Sequence, residues 1–219
     1  MALKLVNASV IIVARDHNPS ILHPSFLRAN GVVEPDLALD GDPICTSAIA
    51  RVPFANGITF IAEPARIQIV DGRPSDSLAG SSLPSYAVKY VETLPHVSYR
   101  AVGINFTGLL VTEAPGEAIV AEFLREGPWN DAGLRAQDCG LRLAFEAAPG
   151  FLRLSFDPGS VQRSGSSTAE RGILIQANYH ADVVNREEAL PETLRLIGLF
   201  PDRWADYCAK VARIFEVSK

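Results

Sequence analysis

Cysteine is sparse in this chain and badly placed for any chemistry that needs it in groups. The three residues Cys45, Cys139 and Cys208 are odd in number, far apart and without a C-x-x-C pair. Neither a disulfide framework nor a zinc knuckle is expected, and reduced thiols in a cytoplasm fit best. Charge is modest too: charged residues are 21% of the chain, and the formal net charge is −5 with Lys and Arg scattered. A surface that tracks a phosphate backbone needs the opposite balance, so nucleic acid is not an expected partner. Long apolar runs are missing, and none approaches the roughly 20 residues that span a bilayer. The opening stretch Met1–Arg15 superficially resembles a secretory leader. However, Lys4, Asn7 and Ser9 interrupt its apolar run and no basic segment precedes it. A soluble, cytoplasmic protein with no membrane partner is expected.

Several motifs are also absent. There is no Gly-x-Ser-x-Gly elbow, no phosphate loop and no glycine fingerprint in a strand–helix–strand setting, so a nucleophile-elbow hydrolase and a Rossmann sheet are disfavoured. What the chain does contain is period-two patterning. Residues 3–14 read as a strand rich in β-branched side chains, followed by the turn cluster Asp16–Ser20. Pro24–Gly31 reads as a short helix, with Pro at its start and Gly beyond its end. Strands are expected over Ser47–Ala55, Ile58–Glu63 and Arg66–Val70, the first two joined by Asn56-Gly57, a strong hairpin signal. A helix follows over Tyr86–Leu94.

The second half follows the same order. A long strand over Val97–Thr112 leads to a helix over Pro115–Arg125. A hairpin of Gly140–Ala147 and Phe151–Asp157 turns at Ala148-Pro149-Gly150, residues 159–170 read as a loop, and Arg171–Val184 is a strand. Two terminal helical segments are separated at Pro201, and Trp204, Cys208, Val211 and Phe215 form a core-facing stripe on the second.

The two halves also match locally. Val10–Val13 is matched by Leu109–Val111, Phe26-Leu27-Arg28 by Phe123-Leu124-Arg125, and Arg51–Phe60 by Arg142–Phe151. The expectation is a single domain over 1–219 built from two pseudo-repeats, about 1–95 and 96–219. Its class is α+β: a mostly antiparallel, curved sheet with helices packed on one face, made from two similar βαβββα halves. This element order resembles TATA-binding-protein-like and helix-grip folds, a likeness of architecture that carries no activity with it.

Candidate chemistry is thin. Asp16, His17, His23 and His180 would make a His/Asp metal cluster if their strands converged, although the six-residue spacing of His17 and His23 is not that of a helical metal pair. Cys139 lacks a marked His partner. The serines of 159–170 lie outside any strand–turn–helix context. On the strand Tyr99–Thr107, strict alternation puts Tyr99, Ala101, Gly103, Asn105 and Thr107 on one mixed, polar face suited to solvent or ligand. Tyr99, Asn105 and Trp204 are the ligand-facing candidates.

Two stretches, His17–Leu27 and Pro95–Phe106, resemble a group of uncharacterised bacterial proteins, a resemblance that implies no activity and no catalytic residues. The residues support best a non-enzymatic binding or interaction protein that uses the open face of a duplicated sheet, without a cofactor and with a homo-oligomer or protein partner. Two alternatives stand beside it. One is a metal-dependent hydrolase around Asp16, His17 and His23; the other is a small-molecule binder with a helix-grip cavity beside Trp204, Cys208 and Phe215.

Overall fold

Val10, Ile11, Ile12 and Val13 carry stiff, mostly branched side chains that a pleated strand accommodates better than a helix. In the computed structural model, which describes residues 3–15, 17–74, 77–162, 167–185 and 187–215, they form the centre of strand β1 (Leu3–Arg15). A short 3-10 turn at Pro19–Ile21 leads to helix α1 (Pro24–Ala29). There Pro24 occupies the first turn and His23 caps it through its side chain. Strands β2 (Ile44–Cys45), β3 (Ala50–Pro53), β4 (Ile58–Glu63) and β5 (Arg66–Asp71) follow, and helix α2 (Leu83–Thr93) closes the first half.

The second half runs in a similar order, with an extra helical turn, a second closing helix and no counterpart of β2. It comprises β6 (Ser98–Val111), α3 (Pro115–Phe123), the single turn α4 (Pro128–Asp131), β7 (Leu141–Glu146), β8 (Phe151–Val161), β9 (Glu170–Asp182), α5 (Ala189–Ile197) and α6 (Phe200–Ile214). No helix among the described residues is long and apolar enough to cross a membrane.

The nine strands form one antiparallel sheet in the order β2-β3-β4-β5-β1-β6-β9-β8-β7. Apart from the two-residue β2, that order is symmetric about the β1–β6 pair, since β5, β4 and β3 on one side correspond to β9, β8 and β7 on the other. A shift of 94 residues carries the Ala8–Phe106 pair onto the Val102–Ile12 pair. The local matches read from the sequence are therefore out of register at the first strand. Val10 corresponds by topology to Ile104, not to the Leu109 region. The hairpins agree more closely: Gly57 and Gly150 both sit in the left-handed region, at φ 90° and 94°. At Gly150 a Cβ would lie 2.0 Å from the His180 carbonyl oxygen, so no larger residue fits without moving β9.

Helices α2, α3, α5 and α6 cover one face. Their apolar stripes meet Val10, Ile12, Phe60, Ile69, Ile104, Phe106, Leu154, Phe156 and Ile175, all buried. Phe106 is the hub of the second half, with ring centroids of Phe200, Trp204, Tyr207 and Tyr179 at 5.3, 5.4, 5.6 and 6.2 Å. Polar ties fix α6 on this cluster. The buried Tyr207 hydroxyl donates to the Ile175 carbonyl at 3.0 Å. Tyr179 donates to Asp206 Oδ2 at 2.8 Å. Arg203 lies over the Tyr179 ring and donates to the Ala148 carbonyl at 2.8 Å.

One strand runs further than its sequence indicates. β8 continues through Pro158, Gly159 and Ser160, paired with β9 out to Val161–Glu170, where a loop is expected from the Pro, Gly and Ser. Its outer neighbour β7 stops at the Leu141–Phe156 pair. Pro158 therefore stands where one side of β8 is already an edge, and proline is tolerated there.

His17 is 5% exposed, between the rings of Tyr90 and Tyr99 at 6.5 Å each. Burial lowers its pKa below the ordinary 6.5, against a hydrogen bond with the Ile12 backbone that acts in the opposite sense. The unfolded chain thus takes up the proton first. Stability is complete above the ordinary value and falls as pH drops toward the lower folded value, with a slope of up to about 1.4 kcal/mol per pH unit. Urea unfolding between pH 5 and 8 should show this acid loss, and His17→Phe should remove that part of the slope. At the hub, Phe106→Ala should cost about 3–5 kcal/mol in the same assay, because it empties a fully enclosed ring site.

Candidate functional site: the open face of the sheet

The face opposite the helices is built by alternation. In β1, Ala8, Val10 and Ile12 turn to the core, which leaves Asn7, Ser9 and Ile11 on the other side. In β9, Ile175, Ala177 and Tyr179 are buried, which leaves Leu174, Gln176, Asn178 and His180. Register then sets these residues in rows. One row runs Val70, Ser9, Asn105, Asn178, Arg153, Ala144 across six strands; the next runs Asn7, Thr107, Gln176, Ser155, Arg142. Val70 apart, they line a groove of about 680 Å³.

The centre of the first row is hydrogen-bonded across its strands and joined at Ser9 by Gln68 from the neighbouring row. Gln68 Nε2 and Asn105 Nδ2 both donate to Ser9 Oγ, at 3.5 and 3.1 Å, and Asn178 Nδ2 donates to Asn105 Oδ1 at 2.5 Å. Bonding side chain to side chain holds these amides in fixed rotamers while their outer atoms face the groove. Arg153 follows Asn178 in the row, its guanidinium 4.6 Å from the Phe151 ring centroid. Phe151 also stacks on His180 at 4.9 Å.

Of the ligand-facing candidates, Asn105 is at the centre of this groove. Tyr99 is not: it is 1% exposed and points to the helical side, where its hydroxyl donates to the Leu94 carbonyl at 2.8 Å. The reason is a bulge. Val13 pairs with Ala101 but Ala14 pairs with Tyr99, so Arg100 is an extra residue and alternation is reset. Trp204 also lies on the helical side, half-buried against Phe106 and Tyr207. Phe123, Phe156 and Phe215 pack on one another at 5.0–5.9 Å beside it. Rings thus fill the space where a helix-grip cavity is expected.

The metal candidates are dispersed. His17 is enclosed under α2. His23 is exposed, its Nδ1 accepting from the Ser25 amide at 3.2 Å. His180 is across the sheet on the open face, its Nε2 3.1 Å from Asp182 Oδ1. Asp16 lies outside the described residues. Among the described residues, no three His, Cys, Asp or Glu side chains come together in a metal-binding group. Of the serines offered as a loop, Gly159-Ser160 is in β8, Ser167 and Thr168 precede β9, and Ser164 and Ser166 lie outside the described residues. The Cys139 thiol is pushed up by burial and by the adjacent Asp138, away from the thiolate that nucleophilic chemistry requires.

Sequence reasoning missed Ser9, Gln68, Gln176, Asn178, Arg142 and Arg153 as a set. The signal was there locally: Asn7 and Ser9 alternate with apolar residues, as do Gln176 and Asn178. What it lacked was strand order, without which residues 9, 105 and 178 have no reason to meet. No protein-family model matches the chain, and no curated protein is similar to it.

The two asparagine and tyrosine sites should separate in experiment. Tyr99→Ala empties an enclosed ring site and should cost about 3–5 kcal/mol, whereas Asn105→Ala, whose former partners line the groove, should cost about 1 kcal/mol. Urea unfolding of the two variants checks the order.

Proposed function

We propose that this chain is a non-enzymatic binding protein whose site is the groove on the open face of the sheet. The observation that carries this reading is the Gln68–Ser9–Asn105–Asn178 chain of hydrogen bonds, amides and a hydroxyl held in place by one another across four strands and still open on one side. Fixed donors and acceptors lower the ordering cost that a ligand meets on binding. The groove volume falls within the range of small-molecule sites, roughly 300–1,000 Å³, and its polar lining suits a hydrophilic occupant. The dispersed histidines and the raised Cys139 thiol lend no support to a hydrolase.

A homo-oligomer or protein partner finds its support elsewhere, at the sheet's ends. β7 presents an outer edge with no strand beside it among the described residues, and Phe145 there is 42% exposed. Such an edge is a ready template for a further strand.

The groove reading is tested by thermal-shift screening of the full chain against uncharged and charged polar metabolite-sized compounds, beside the variant Asn178→Trp, which fills the groove floor. Compounds that raise the melting temperature of the native chain and leave the variant unmoved support the reading. If every stabilising compound acts equally on both proteins, the groove is not the site.

A further inference from the structure

We infer that the groove selects a small polar organic anion, recognised by Arg142 and Arg153; this rests on the groove being the binding site. The only ionisable side chains lining the groove, among the described residues, are these two arginines, in a chain whose net charge is −5. Neither forms an ion pair among the described residues, although the acids outnumber the bases. Their placement is set by register. Arg142 pairs with Ser155 and Ala144 pairs with Arg153, so both arginines project from the same face as diagonal neighbours, about 7–8 Å apart at their Cα atoms. Their guanidinium groups, that of Arg153 lying over the Phe151 ring, are like charges on neighbouring strands, and an oxyanion that takes both relieves their repulsion. The planar guanidinium fork suits a carboxylate or phosphoryl group.

The neighbouring row specifies the rest of the ligand. Asn178 stands directly beside Arg153. Its Nδ2 is engaged by Asn105, so its Oδ1 remains to accept from the ligand. Gln176, Thr107 and Ser155 offer further polar atoms one row away. The ligand that fits carries an anionic group at the β7–β8 side and hydroxyl or amide donors that reach toward β9 and β6. A second copy of the chain does not fit. A twofold axis through the groove would bring arginine toward arginine with no carboxylate in the lining.

The test is NMR titration of the isotopically labelled full chain, reading arginine Nε–H and asparagine side-chain amide resonances. The probes are citrate and glucose 6-phosphate, which separate carboxylate from phosphoryl recognition, and glucose as the uncharged control. Saturable shifts of groove resonances with at least one anion and none with glucose are expected. The affinity should fall about tenfold or more in R142Q/R153Q and weaken with added salt. Both side chains are exposed, so the variant should keep its fold, checked by backbone amide dispersion. R195Q, remote on α5, should bind like the native chain.

Equal affinity in R142Q/R153Q overturns the inference, as does binding that requires a long polyanion such as polyglutamate. If glucose or other uncharged compounds shift the same amides while both anions do not, the groove remains a binding site and its selection for anions is wrong. If nothing shifts these resonances and the thermal screen is also blank, both readings fall.

Discussion

The antiparallel ladder between β1 and β6 is the constraint on which the rest of this molecule depends. It joins the two halves along nearly the full length of both strands, from Leu3–Leu110 to Arg15–Ser98. Every other strand is placed relative to it, β5 and the first-half strands on one side, β9 and the second-half strands on the other. Because side chains alternate with period two, a slip of one residue in this ladder would turn the apolar set of one strand, Val10 and Ile12 or Ile104 and Phe106, to the open face and bring Ser9 or Asn105 under the helices. The register is thus held by the apolar face, and the polar face is carried with it.

Two bulges punctuate the ladder, at Val6 in β1 and at Arg100 in β6. The 94-residue shift that relates the halves brings one onto the other, so they are symmetric features of the sheet. A bulge increases local twist and bends the strand that carries it, and one near each end of the central pair suits a curved sheet. Curvature is what turns a flat row of polar side chains into a groove. The Arg100 bulge, by resetting alternation, also places Tyr99 beside His17 and Tyr90 on the covered side.

Much of the fold was legible locally. Asn56-Gly57 and Ala148-Pro149-Gly150 announce their hairpins because the left-handed turn position requires glycine. Pro24 and Pro115 mark helix starts because a first-turn residue needs no amide donor. Asn105 was legible as a groove residue, since it lies in the unbulged stretch where alternation holds. Tyr99 was not, because an extra residue in a strand leaves no mark in composition or period. Nor were the partners of Asn105. Ser9 is 96 residues away and Asn178 is 73, and each reads on its own as an ordinary polar position on a strand.

By itself the sequence determined the class of the protein: most of its strands and helices, its two hairpin turns and a similar element order in its two halves. Those are properties of neighbours in the chain, governed by backbone stereochemistry and the periodicity of apolar side chains. Only the tertiary structure decided which residues form the site. Strand order brings β7 and β8 next to β9, and β9 next to β6, so that Arg142, Arg153, Asn178, Asn105 and Ser9 share one surface. It also fixes the two sides of the sheet, separating His17 from His180. Such meetings depend on register across hydrogen-bonded strands, a long-range condition that no local pattern encodes.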